Sequence, residues 1–169
     1  MLNIGFSDMI DDETEFIPLL TAQDEEQMNA EEVPEKLSIL PLRNTVLFPG
    51  VVIPITVGRD KSIKLIKDAY KNGRIIGVVS QKDTQIEEPG FDDLNKIGTV
   101  AYIIKMLRMP DGNTTVIIQG KRRFQLNELL QTEPYLTASI TPFPDVKAEE
   151  DKEFKALVSS ISHLAVQIA

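Results

Sequence analysis

The chain has 169 residues, no cysteine and a formal charge of −8, with 42% hydrophobic and 26% charged residues. Such a composition fits one ordinary soluble domain with tails, and it excludes both a disulfide framework and a thiolate metal site. No apolar run approaches the roughly 20 residues of a membrane span. The opening, Met1–Phe16, has neither a basic nor an apolar signal region, so a reducing cytoplasm is the expected compartment.

The charge is uneven. Residues 1–36 hold 11 acidic residues and one basic residue, and the remaining chain holds 15 acidic and 17 basic ones. The acidity belongs to a leader, and the body is near neutral, which argues against a dedicated nucleic-acid face. The leader lacks sustained periodicity and carries Asp11-Asp12-Glu13 and Asp24-Glu25-Glu26. Too little apolar surface is available there to offset the entropy of ordering, so disorder is expected. Two apolar patches interrupt it, Ile4–Ile10 and Phe16–Leu20. They read either as docking motifs for a partner or another copy of the domain, or as incidental hydrophobes.

From Leu37 the pattern changes. Leu37–Leu42, containing Pro41, reads as a first strand at a sheet edge. Arg43–Gly50 has loop chemistry, and Val51–Val57 is a β-branched run whose proline again marks an edge or a bulge. Asp60–Asn72 changes period: Ile63, Ile66 and Tyr70 share one helical face, with Asp60 as the expected cap and Gly73 past the end. Arg74–Gln81 is a buried-strand run, and Lys82–Lys96 is a polar loop that Phe91 and Leu94 pin to the body. Ile97–Met109 is the longest strand candidate. Pro110-Asp111-Gly112-Asn113 is a hairpin signal leading into Thr114–Gln119. Gly120 marks a bend or bulge before Lys121–Leu130, and Tyr135–Thr141 alternates as a half-buried strand should. After Pro142-Phe143-Pro144, Phe154, Leu157, Val158, Ile161, Leu164, Ala165 and Ile168 recur at helical spacing. That apolar face needs a cover, and the chain stops within it. A parent protein that continues is expected; a helix folded back onto the sheet is the alternative. The sum is an α+β, mainly β domain: a curved sheet or small barrel, one inserted helix and one trailing helix.

Catalytic chemistry is missing. Nucleophilic catalysis requires an activated group with a positioned base, yet the single histidine, His163, lies on the trailing helix. Gly120-Lys121-Arg122 lacks the upstream glycine and the hydroxyl of a phosphate loop. Glu87-Glu88 and Asp92-Asp93 lack the ligand spacing of a calcium loop. No catalytic, cofactor-binding or metal-binding residue is therefore assigned. Lys121-Arg122-Arg123 is the one basic cluster, read either as a contact for phosphates or acidic segments or as a charged edge that blocks strand pairing.

The run Leu40-Pro41-Leu42-Arg43-Asn44-Thr45-Val46-Leu47-Phe48-Pro49-Gly50 resembles the opening signature of the Lon N-terminal domain. Val57-Gly58-Arg59 with Lys61-Ser62-Ile63, Gln81-Lys82-Asp83, Asp93-Leu94, Gly98-Thr99-Val100-Ala101, Pro110-Asp111-Gly112 and Gly120 with Arg122-Arg123 follow in the family's order. This resemblance implies a PUA-like pseudo-barrel over 37–144, followed over 145–169 by the start of a helical linker. It also implies a cytoplasmic, ring-forming parent, an ATP-dependent serine protease with an AAA+ motor using ATP and magnesium and a Ser-Lys peptidase. None of that machinery lies in 1–169.

The expected role is capture of unfolded or degron-bearing proteins, with support for ring assembly. Strand edges accept extended peptide, and side-chain pockets add selectivity. The candidate contacts are Arg43, Phe48 and Pro49 in the loop, and Met106, Leu107 and Met109 before the hairpin. Core packing is the competing reading for Phe48 and Met106. A free-standing PUA-like binding or oligomerisation module is the alternative to a protease domain.

Overall fold

The computed structural model describes residues 32–144, 146 and 149–169. The expected acidic leader, with its patches Ile4–Ile10 and Phe16–Leu20, lies outside them up to residue 31. Six strands form one sheet: β1 (Lys36–Leu42), β2 (Val52–Val57), β3 (Ile75–Ser80), β4 (Ile97–Arg108), β5 (Thr114–Gln131) and β6 (Thr137–Pro142). Helix α1 (Asp60–Lys71) links β2 to β3, a single 3-10 turn covers Phe91–Asp93, and α2 (Lys152–Ile168) trails. The strand order is β2-β5-β4-β3-β1-β6, and β5 pairs again with β6. That second pairing closes five strands into a ring and leaves β2 as an edge on the first half of β5. The mainly β pseudo-barrel expected from the sequence is the architecture observed.

Long β5 makes this geometry. It pairs with β2 over Thr114–Gln119 and with β6 over Phe124–Gln131. Between these stretches a bulge sets Gly120 opposite Ala101 and Arg122 opposite Val100, leaving Lys121 as the extra residue. One inserted residue exchanges the faces of a strand. Accordingly Val116 and Ile118 pack in a cluster with Leu65, Ile66 and Ile103, whereas Phe124 and Leu126 pack with Ile39, Val79 and Ile140 in a second cluster. The bend expected at Gly120 is this bulge, and the strand runs through it.

The buried Phe124 ring fits because Gly77 and Gly98 offer no side chains: a Cβ at either would lie 2.9 or 2.8 Å from Phe124 Cζ. The hairpin turn uses Pro110-Asp111-Gly112 as expected, with Gly112 at φ +90 and Met109 N–H donating to Asn113 at 2.9 Å.

Two expectations and one alternative need correction. Asp60 does not cap α1; Arg59 holds that position without a side-chain bond, and Asp60 stands in the first turn, where its charge favours the helix dipole. β1 is not an edge strand, because β3 and β6 flank it. Its β6 pairing ends at Ser38 and Ile39 N–H donates to the Leu136 carbonyl, so Pro41 faces an opening instead of a missing bond. The third concerns α2, which buries no residue and does not fold back onto the sheet.

Candidate binding surfaces

The loop Arg43–Gly50 is held to the barrel at several backbone points. Ser80 Oγ donates to the Thr45 carbonyl at 2.7 Å, and buried Thr99 Oγ1 donates to the Leu47 carbonyl at 2.6 Å. Gly50 N–H donates to the Gly120 carbonyl at 2.9 Å, and Gly120 N–H donates to the Val51 carbonyl at 2.9 Å. Gly120 is required here, since a Cβ would lie 2.3 Å from the Phe48 carbonyl oxygen. Leu47 is the inward anchor at 3% exposure, while Val46 and Phe48 project at 58% and 54%. Phe48 is thus not a core residue. With Ile97 and Arg123, these side chains flank a shallow cavity of about 190 Å³, and Val51 and Val52 extend the exposed apolar surface.

The other candidates lie elsewhere. Leu107 and Met109 are exposed near the hairpin tip, and Met106 is half-buried against the first core cluster. Met106 pairs with Val116 and Arg108 with Thr114, whereas the loop sits at Gly120. At roughly 3.3 Å per residue, the tip and the loop are about 20 Å apart along β5. The six sequence candidates therefore fall in two separate places, with Arg43, Phe48 and Pro49 on the loop.

Arg43 also belongs to a larger cleft that the sequence did not reveal. It measures about 1120 Å³ and lies between β1, β2, the start of α1 and the Glu87–Gly90 loop. Arg59 Nη2 donates to Gln81 Oε1 at 2.9 Å; the buried Gln81 amide donates to the Asp83 and Ile86 carbonyls at 3.2 and 2.9 Å. Arg43 Nη2 donates to the same Ile86 carbonyl at 3.1 Å. Burial first, and then Arg43, hold the Arg59 guanidinium below its ordinary value, with Glu88 and Glu87 opposing the shift. Three separated sequence motifs meet in this network. Their spacing in the chain gave no sign that it exists.

The residues weighed for chemistry in the sequence lie on separate elements. His163 is an exposed α2 residue within 3.2 Å of Gln167. Gly120-Lys121-Arg122 sits inside β5 and not at the strand-to-helix turn a phosphate loop requires. The basic cluster is not at a sheet edge either: it spans the passage of β5 from β2 to β6, where the Arg123 carbonyl accepts from Phe143 N–H. Lys121 stacks over Tyr102 at 5.2 Å. No helix among the described residues is long and apolar enough to cross a membrane.

A pseudo-barrel offering open strand edges and a pinned apolar loop defines a class of binding module. The chain belongs to the ATP-dependent protease La (LON) substrate-binding domain family, whose model matches residues 36–168. It is 60% identical over 159 residues to Lon protease of Flavobacterium johnsoniae, covering 94% of this chain and 20% of that protein. Against Lon protease of Cytophaga hutchinsonii the identity is 52%, covering 95% and 20%. The chain thus spans about a fifth of the length of these relatives. The fold is shared with the N-terminal domain of Mycobacterium avium complex Lon protease, at a TM-score of 0.60 and 23% identity over 79% of this chain and 67% of that one. It is also shared with a Lon N-terminal domain protein from Xanthomonas campestris, at 0.61 and 22% over 78% and 73%.

Proposed function

We propose that this chain is the part of a longer Lon-type protease that takes hold of exposed apolar segments in unfolded or damaged proteins. The observation that carries the reading is the pinned loop: Val46 and Phe48 stand in solvent on a backbone bonded to Ser80, Thr99 and Gly120. A preorganised aromatic loses little freedom on contact, so its apolar area converts into affinity. Leu107 and Met109 form a second contact about 20 Å away, where methionine adapts to varied sequences. Two separated contacts favour extended, flexible clients over compact ones.

In this reading the chemistry lies elsewhere in the longer protein. An AAA+ motor using ATP and magnesium pulls the client, and a Ser-Lys peptidase cuts it, in a cytoplasmic ring of subunits. In this division of labour the domain's task is capture.

Phe48→Ala tests the proposal. Its aromatic ring is half-exposed, so folding should persist while affinity for a permanently unfolded polypeptide falls about tenfold, as for an interface anchor. Undiminished affinity in a folded variant would remove the loop from the binding surface.

A second reading, assembly, rests on α2, where Leu157, Val158, Ile161 and Leu164 are exposed along one stripe. It expects concentration-dependent self-association without affinity for unfolded polypeptide.

A further inference from the structure

The cleft between β1 and β2 is bounded by two strand edges without partners. β2 pairs only with β5, and β1 has no strand beside it beyond Ser38 on its β6 side. The Val51 carbonyl points toward β5, where it accepts from Gly120 N–H. By alternation Val52, Pro54 and Thr56 turn their backbone groups away from β5. Ile39 N–H likewise points away from β3, toward Leu136, which puts the Pro41 carbonyl on the open side. The cleft therefore offers carbonyls of Pro41, Pro54 and Thr56 and the N–H of Thr56. A chain that fits it is extended, with apolar side chains beside the strands and a charged end at the rim of Arg43, Arg59, Asp60, Lys61, Glu87 and Glu88.

Both edges carry a proline between two aliphatic residues, Leu40-Pro41-Leu42 in β1 and Ile53-Pro54-Ile55 in β2. The same aliphatic-proline-aliphatic pattern recurs at Ile17-Pro18-Leu19 in the leader, within Phe16–Leu20. In such a triplet the proline turns its missing N–H to one side, and the flanking residues pair fully on the other. We propose that Phe16–Leu20 of this same chain docks in the cleft as an added strand along the open edge of β2.

Length permits it. Eleven residues lie between Leu20 and Glu32, where the described chain begins, and that stretch spans up to about 40 Å. The cleft runs beside β1, a strand only about 20 Å long. Tethering in one chain supplies an effective concentration on the order of millimolar. Charge adds direction. Among the described residues Arg43 and Arg59 hydrogen-bond only to Ile86 and Gln81, both neutral partners. Glu87 and Glu88 on the rim offset part of their charge without reaching ion-pair distance. Glu15, directly before the apolar run, brings the carboxylate that this arginine pair lacks.

The docked leader meets only Arg43 and Thr45 of the loop and not Val46 or Phe48, so it stands independently of the capture proposal. Backbone amide exchange in the full 169-residue chain tests it, comparing the native sequence with Ile17→Asp/Leu19→Asp. Both substitutions precede the first barrel residue, Lys36. The expected result is exchange at Thr56 at least tenfold slower in the native chain, at every protein concentration. Equal exchange in the two chains would overturn the proposal. Protection that vanishes on dilution would overturn it too, giving the cleft to a second copy. Protection appearing only with added unfolded polypeptide would do the same and make the cleft a client site.

Discussion

At Gly120 the approach of two backbones leaves no space for a methyl group. Its position for a Cβ lies 2.3 Å from the Phe48 carbonyl oxygen, and a main-chain atom held at Gly50 and Val51 has little room to yield. Gly120→Ala is therefore expected to destabilise the domain by about 1–3 kcal/mol in equilibrium denaturation and to weaken binding of unfolded polypeptide along with Phe48→Ala. Tyr135 illustrates a different residue effect. Its hydroxyl donates to Asp68 Oδ2 at 3.1 Å, tying the β6 approach to α1. Burial first, and the Asp68 hydrogen bond and charge next, raise its pKa from 10.0. A raised value in the folded state means the stabilisation is complete below the ordinary tyrosine value and is lost as pH climbs through the raised one. Tyr135→Phe should cost about 1 kcal/mol in denaturant titrations near neutral pH. The gap from the native chain should narrow above about pH 10; a gap constant with pH would remove the hydrogen bond as its cause.

The elements divide into those legible locally and those set by neighbours. The hairpin at Pro110–Asn113 needed only its turn residues, and α1 needed only its apolar face and Gly73, at φ +83 just past its end. The cap assigned to Asp60 failed by one position: Arg59 holds it without a side-chain bond and Asp60 enters the first turn, and local preference does not fix a helix end to a single residue. β1 and β2 were legible as strands with prolines at unpaired positions. Which edge stayed open depended on where β6 stops pairing, and that lies a hundred residues away in the chain. Helix α2 marks the other extreme: its stripe was plain, yet no described partner covers it. A helix in a protein draws most of its stability from packing of its apolar face, and α2 buries none of its 17 residues. Deleting residues 152–169 is expected to change barrel stability by less than about 0.5 kcal/mol, as for contact-free surface changes. The same deletion should abolish any concentration-dependent association seen by sedimentation if α2 is an assembly surface. Association that survived it would place that surface on the barrel.

For the whole molecule, one strand couples both cores. β5 passes from the cluster under α1 to the cluster around Phe124, and the Lys121 bulge turns its apolar positions from one face to the other. Closure of the ring by β5 and β6 leaves β2 outside it, and the cleft exists because the ring closes without that strand. The sequence by itself determined the element types, the β-rich class, the family and the loop that presents Phe48, since alternation, turn residues and ordered motifs are local properties. Tertiary structure alone decided that Phe48 is exposed while Leu47 is buried, that Arg43, Arg59 and Gln81 meet, and that the six candidate contacts lie in two separate places. Those outcomes follow from strand pairing between distant residues, and pairing depends on how the whole sheet closes.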